Sequence, residues 1–105
     1  MNIADIQAAA LELCQRHGWR DRNPDQRFRY LVTEVGELGK ELLRYAWPGE
    51  NQEDIKRRVG HEMYDVVWNL CDLANQLGID LETCFTEKEA FNRTRVWEPE
   101  KPNDE

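Results

Sequence analysis

Residues 58–78, RVGHEMYDVVWNLCDLANQLG, decide the fold, because their apolar side chains recur at helical spacing. The recurring apolar positions are Val59, Met63, Val66, Val67, Leu70, Leu73, Ala74 and Leu77. Such spacing predicts a helix with one face on a core, and Gly78 supplies the stop. Two carboxylates, Glu62 and Asp65, lie beside this face, where an unpaired charge is unfavourable. The stretch therefore predicts a core helix whose acidic edge requires an explanation.

The apolar residues in the rest of the sequence also recur at helical spacing, and no segment shows the alternation of apolar and polar residues that is typical of a strand. We predict four helices, over about residues 3–17, 24–45, 53–77 and 81–95. Asn23 and Asp80 stand at expected N-cap positions, and Pro24 fits the first helical position. Pro48 and Gly49 separate the second helix from the third. Because two long helices with a short connection pack antiparallel, the sequence predicts an all-α bundle around two long central helices.

Length and composition indicate one small domain. The 105 residues are 40% hydrophobic and 33% charged, which suits one core with solvated helix faces. We expect an all-α domain over residues 1–96 and a disordered acidic tail over residues 97–105. No membrane span or secretory leader is evident, so we expect a cytoplasmic protein. The net charge of −7 argues against a duplex nucleic-acid partner, which requires a basic surface.

Four further residues are expected to be structural rather than chemical. Three of them are the cysteines, Cys14, Cys71 and Cys84, which stand singly at apolar-periodic positions. We predict that they are small buried side chains, not disulfide partners or zinc ligands. Trp68 lies on the third helix opposite its apolar face, so we expect it to be exposed and to mark an oligomer contact.

Two acidic motifs supply the candidate chemistry. Glu34 and Glu37 form ExxE in the second helix, whereas Glu62 and Asp65 form ExxD in the third. Residues three apart lie on the same helix face, so each pair can bind one ion. Oxygen donors suit Mg²⁺ or Mn²⁺. Because 21 of 105 residues are acidic, such spacing arises readily by chance. Whether the motifs bind a metal therefore depends on where the four side chains lie relative to the core. Glu62 falls about 20° outside the apolar row, so we expect the third-helix pair to be partly buried. The second-helix pair needs a partner to cover it.

The fourth helix joins an apolar stripe to a cationic one. The apolar stripe, which we expect to pack on the core, consists of Leu81, Cys84 and Phe85. Its polar continuation, within roughly 60°, consists of Lys88, Asn92 and Arg95. Arginine offers forked contacts, lysine a point charge and asparagine a neutral donor, which together suit phosphate groups. The acidic and cationic sets together predict a metal–polyphosphate site.

Three segments, in this order, resemble those of the MazG-like all-α nucleoside triphosphate pyrophosphohydrolases. They are TEVGELGKEL (33–42), HEMYDVVWNL (61–70) and LGIDLETCFTEKEAFNRTR (77–95). The resemblance covers residues 25–96 and implies cleavage of an NTP or dNTP to the monophosphate and pyrophosphate. It also implies a four-helix bundle completed by oligomerisation into a dimer or tetramer.

The resemblance further implies a role for each site residue. Mg²⁺, with Mn²⁺ as a substitute, would be bound by Glu34, Glu37, Glu62 and Asp65. Phosphates would be bound by Lys88, Asn92 and Arg95. Glu34 or Glu37 would orient or deprotonate the attacking water.

Two loop tryptophans, Trp19 and Trp47, are candidates for nucleobase contact, because a stacking ring with polar groups nearby is a usual way to hold a base. The alternative for each is packing over a helix end or at a subunit contact. A second class of function also stays open. A non-catalytic helical dimerisation or adaptor module would explain the amphipathic helices but not the cationic stripe.

Overall fold

A computed structural model describes residues 1–19 and 23–96, and these residues form four α-helices and no strand. The helices are α1 (Ile3–Arg16), α2 (Pro24–Tyr45), α3 (Gln52–Leu77) and α4 (Leu81–Thr94). The all-α prediction is confirmed, with each helix end within one residue of its expected position. The tail predicted over residues 97–105 lies outside the described residues. No described helix is both long and apolar enough to cross a membrane.

Side-chain caps set the start of each helix. The caps are Asn2, Asn23, Asn51 and Asp80. Each accepts a hydrogen bond from a backbone N–H of the first turn, which would otherwise have no helical partner. Asn23 and Asp80 confirm the sequence prediction. Gly78 ends α3 with φ +68°, a left-handed conformation that favours glycine.

The two long helices pack antiparallel. Arg27, near the start of α2, pairs with Asp72, near the end of α3. Towards the opposite ends, Glu41 Oε2 lies 3.6 Å from Arg58 Nε. Early residues of one helix thus meet late residues of the other, as the short connection predicts. This register places the ExxE segment of α2 opposite the ExxD segment of α3.

α1 packs on α3 and fixes the turn that leads into α4. Gln7 Nε2 donates to the carbonyl oxygen of Ile79 at 2.6 Å, and its Oε1 accepts from the backbone N–H of Leu81 at 3.2 Å. Asn75 Nδ2 donates to the carbonyl oxygen of Gln7 at 2.9 Å. α4 packs mainly against α1. The direction of α4 is therefore set from α1, by polar contacts that the sequence did not reveal.

A single chain buries little apolar surface. The buried hydrophobic side chains in the described residues are Ala10, Leu31, Ile55, Cys71 and Ala74. The radius of gyration is 17.5 Å, whereas a compact chain of this length has about 13 Å. The dimensions of 49 × 43 × 28 Å describe a flat, open arrangement. Much of what would form a core in a compact monomer is therefore left at the surface.

One side of the α2–α3 pair forms an apolar flank. It consists of Phe28, Val32, Val35 and Leu42 of α2 with Met63, Leu70 and Leu77 of α3, all exposed. In each helix these positions lie roughly 100° around the axis from the side that meets the other helix. Because the helices are antiparallel and the rotation has the same sense in both, the two sets face the same side. The flank is therefore one continuous surface.

Some burial predictions are wrong. Cys84 is exposed and Phe85 is half-exposed, because α4 has mainly α1 as its neighbour and its apolar stripe is not covered within one chain. Trp68 is half-buried rather than exposed, because the guanidinium of Arg27 lies 5.2 Å from its ring centroid. Cys71 is buried as predicted, and Cys14 is half-buried.

Candidate metal centre

Three carboxylates converge midway along the contact between α2 and α3. One oxygen from each of Glu34, Glu62 and Asp65 lies within 4.8 Å of the others. Glu34 and Glu62 are half-buried, and Asp65 is exposed. The expected partial burial of the third-helix pair is confirmed for Glu62 and is wrong for Asp65, which lies at the open edge of the cluster. The helix that covers Glu34 is α3 itself. The antiparallel register thus brings one residue of ExxE against both residues of ExxD.

The side of α2 that faces α3 is more polar than its outer side. Its buried and half-buried residues recur every three or four positions: Arg27, Leu31, Glu34, Leu38 and Glu41. The apolar residues Phe28, Val35 and Leu42 form a separate group, roughly 100° further around the axis of α2. In the structure that apolar group lies outside, because the charged residues of α2 have their partners on α3. This orientation creates the acidic cluster and the apolar flank together.

The acidic cluster is electrostatically unfavourable without a cation. Burial raises the pKa of Glu34 above its ordinary value of 4.5, and the negative charges of Asp65, Glu62 and Glu37 raise it further. Glu62 Oε2 is buried and has no hydrogen-bond partner in the described residues. A divalent cation would neutralise the repulsion among the three carboxylates and would give Glu62 Oε2 a partner. An all-oxygen donor set suits Mg²⁺ or Mn²⁺. The residues present therefore fit a hard cation.

The raised pKa of Glu34 predicts a pH dependence of the metal-free chain. Between 4.5 and the higher folded-state pKa, the folded chain binds more protons than the unfolded chain. The free energy of unfolding should therefore fall as pH rises from 4.5 through the higher folded-state pKa of Glu34, and Glu34→Gln should flatten this fall. Thermal unfolding with EDTA at each pH measures the effect. Equal slopes for wild type and Glu34→Gln would contradict the assigned origin of the shift.

Glu37 lies outside the convergent set. Its side chain is 49% exposed, and its Oε1 is 4.0 Å from Lys40 Nζ. Its charge nevertheless reaches the cluster, since it contributes to the raised pKa of Glu34. A fourth ligand role for Glu37 stays a prediction.

Two of the predicted phosphate ligands, Lys88 and Asn92, lie on α4, and the third, Arg95, directly follows its last residue. Lys88 Nζ lies 4.8 Å from the ring centroid of Phe91, and the Arg95 guanidinium carbon lies 5.9 Å from it. Asn92 Oδ1 is buried without a hydrogen-bond partner among the described residues. Since α4 packs mainly on α1, the predicted phosphate ligands and the carboxylates belong to different helix pairs. Phosphate binding by these residues stays a prediction.

Trp19 lines a cleft between α1 and α3, whereas Trp47 is exposed in the α2–α3 connection. The cleft has a volume of about 360 Å³ and is lined by Leu11, Cys14, Gln15, Trp19, Asp72, Asn75 and Gln76. The Trp19 ring stacks on His17 at a centroid distance of 4.8 Å. Asp72 and Asn75 follow Asp65 along α3 by two to three turns, which is roughly 10–15 Å. The carboxylate cluster and this cleft therefore lie along the same helix, α3.

Sequence reasoning missed Arg27. Its side chain is buried between α2 and α3 and contacts Asp72 and Asn69. A signal was present, because Arg27 precedes Glu34 by seven residues and so lies on the same side of α2. A charged residue on a side that also holds Leu31 and Leu38 indicates a buried partner on the facing helix.

An all-α fold with carboxylates converging between two antiparallel helices defines a helical protein with a candidate divalent-cation centre. No protein-family model matches the chain. The uncharacterized protein YvdC of Bacillus subtilis (strain 168) is 30% identical over an alignment of 89 residues, which covers 78% of this chain and 84% of YvdC. A crystal structure of iMazG from Vibrio DAT 722 is similar, with a TM-score of 0.61 and 30% identity over 89% of this chain and 95% of iMazG. A second iMazG structure gives the same TM-score and identity over 90% of this chain and 100% of iMazG. The chain belongs to the MazG-like family.

Proposed function

We propose that this chain is an Mg²⁺-dependent nucleotide pyrophosphohydrolase that cleaves an NTP or dNTP to the monophosphate and pyrophosphate. The observation that supports this most directly is the convergence of Glu34, Glu62 and Asp65 in a MazG-like fold. The buried, unpartnered Oε2 of Glu62 adds a specific place for a cation. Relatedness to iMazG at 30% identity is consistent with this class of reaction.

In this mechanism the chain binds the ion and accepts a proton. Mg²⁺, when bound, supplies charge neutralisation and water activation. Glu34, Glu62 and Asp65 would hold it. A water oxygen attacks phosphorus, the bond from that phosphorus to the pyrophosphate oxygen breaks, and a glutamate takes the proton. Glu37 is better placed than Glu34 for that last step, because it lies outside the convergent set and about half of its side chain, 49%, is exposed.

The remaining contacts of the substrate follow from charge and shape. Lys88 and Arg95 are the proposed partners of phosphate oxygens, with Asn92 as a neutral donor. The cleft beside Trp19 is the proposed place for the nucleobase, since it joins an aromatic ring to several amide side chains. Trp47 is the weaker candidate, because it is exposed in a loop.

The active assembly is proposed to be a homo-oligomer, a dimer or a tetramer. A soluble monomer rarely exposes a contiguous apolar patch as large as the apolar flank. The radius of gyration of 17.5 Å also exceeds that of a compact chain, about 13 Å, so apolar surface remains to be buried. A second copy of the chain presents a surface of the same chemistry, as a two-fold contact requires.

A nucleotide panel tests the activity. Purified chain with Mg²⁺ should release pyrophosphate from at least one of the common NTPs and dNTPs, and EDTA should stop the release. No release from any nucleotide would contradict the triphosphate assignment.

Two variants test the proposed substrate contacts. Trp19→Ala should raise KM with little change in kcat, because base stacking acts on binding. Lys88→Met should lower kcat/KM, because a contact to phosphate is lost.

A helical adaptor module is the alternative class, favoured by the exposed apolar flank. Thermal-shift titration separates the two. Mg²⁺ with a nucleotide should stabilise an enzyme by mass action, whereas an adaptor should not respond.

A further inference from the structure

A buried arginine lies beside the carboxylate cluster and has no part in the mechanism above. Arg27 is 3% exposed, and its Nε lies 2.5 Å from Asp72 Oδ2. Its guanidinium carbon is 5.3 Å from the ring centroid of Tyr30 and 5.2 Å from that of Trp68. A buried charge is unfavourable unless it is paired. Here one carboxylate and two aromatic rings surround it, so its position is closely defined.

The arginine is connected to the metal centre through one amide. Arg27 Nη1 donates to Asn69 Oδ1 at 2.6 Å, and Asn69 Nδ2 donates to the carbonyl oxygen of Asp65 at 2.7 Å. Asn69 is itself 5% exposed. Asp65 is one of the three converging carboxylate residues. A continuous set of short hydrogen bonds therefore leads from α2 to the turn of α3 that supplies a ligand.

The same arginine is connected to α1 through its carboxylate partner. Asp72 Oδ1 accepts from Cys14 Sγ at 3.2 Å, and Asp72 Oδ2 accepts from Gln76 Nε2 at 3.2 Å. Cys14, Asp72 and Gln76 all line the cleft beside Trp19. The group formed by Arg27, Asn69 and Asp72 thus touches the metal centre at one end and the cleft at the other.

We propose that Arg27 is a positioning residue. It holds the Asp65 turn of α3 at a fixed distance and rotation from α2, so that Asp65 and Glu62 meet Glu34 around one ion. It acts through Asn69 and does not touch the substrate. This role rests on the proposed function, since it assigns Arg27 to the same metal centre.

A purely structural role predicts a different result, and the two can be separated. Removing Arg27 alone would leave Asp72 charged and buried, which would destabilise the chain whatever its role. Replacing both partners with apolar residues of similar size leaves stability similar or improved. Arg27→Met combined with Asp72→Leu therefore removes the contacts of Arg27 without leaving a buried unpaired charge, and it also removes the Asp72 contacts to Cys14 and Gln76.

The test measures Mn²⁺ affinity without substrate, by titration followed with electron paramagnetic resonance, and the unfolding temperature of each variant. Arg27→Met/Asp72→Leu should unfold no earlier than wild type yet bind Mn²⁺ about 10-fold more weakly, as loss of groups behind metal ligands does. Asn69→Leu should give a similar loss. Combining all three substitutions should weaken binding no further, because they break one connection. The matched control is Arg93→Met/Glu89→Leu, which removes an exposed α4 ion pair of 2.8 Å and should leave Mn²⁺ affinity unchanged.

Several outcomes would overturn the inference. A folded Arg27→Met/Asp72→Leu variant with wild-type Mn²⁺ affinity would reduce Arg27 to a structural role. Additive losses would exclude the route through Asn69. If the double variant does not fold, Asn69→Leu still decides, because it removes no charge. A wild-type chain that binds Mn²⁺ but releases no pyrophosphate contradicts the proposed function alone, whereas one that binds no Mn²⁺ overturns both.

Discussion

Glu62→Gln should abolish Mg²⁺-dependent pyrophosphate release and should make the metal-free chain more stable to heat. The amide keeps the size of the side chain but removes one anionic ligand from the three that converge. A bound divalent cation supplies several kcal/mol of charge stabilisation to a phosphoryl transition state, so its loss should lower turnover by at least about 100-fold. Stability should rise, because the charge of Glu62 is one of those that raise the pKa of Glu34.

Two measurements and one control make this prediction specific. Pyrophosphate release reports the chemistry, and thermal unfolding in EDTA reports the stability. Glu53→Gln is the matched control, because Glu53 lies on the same helix, is exposed, and has only a surface pair with Lys56 at 3.4 Å. It should change neither quantity appreciably. Full turnover in Glu62→Gln would contradict the assignment of Glu62 as a metal ligand. Lost turnover with a lower unfolding temperature would show that the variant is inactive because it unfolds.

The helices and half of the centre were predictable because their signals are local. Asn23, Pro24, Asp80 and Gly78 act on the turns next to them, so each could be interpreted from its neighbours alone. The acidic edge of α3 was equally accessible, since the position of Glu62 relative to the apolar row follows from helical geometry. The order of three segments then indicated the family.

The orientation of α2 was not predictable in the same way. Its most apolar side suggests a core, yet Phe28 and Val35 are exposed, whereas Arg27 is buried. The choice depends on partners far away in sequence, namely Asp72 for Arg27 and Arg58 for Glu41. Hydrophobic periodicity shows which side of a helix is apolar. It does not show whether that side packs against the same chain or against another chain. The exposure of Cys84 on α4 has the same origin.

Val32→Lys should convert an oligomer of this chain into monomers. Val32 lies in the apolar flank and is 54% exposed, so its side chain is available to a second copy. Fully burying an exposed valine contributes about 1.5–3 kcal/mol, so burying the exposed half of Val32 contributes about 1 kcal/mol, and a two-fold contact contains the position twice. The loss of about 2 kcal/mol, before the cost of desolvating two lysines, corresponds to a dissociation constant at least about 30-fold higher.

Sedimentation or light scattering gives the mass directly. Wild type should show at least twice the chain mass of 12.5 kDa, and Val32→Lys should show 12.5 kDa at the same concentration. Gln26→Lys is the matched control, because it adds the same charge to an exposed position on the opposite side of α2 and should leave the mass unchanged. A Val32→Lys variant that stays oligomeric would show that the interface lies outside the apolar flank, on α4 or on the side of the cleft beside Trp19. A monomeric wild type would leave the open shape unexplained by self-association and would favour the adaptor class, in which a different protein covers the apolar flank.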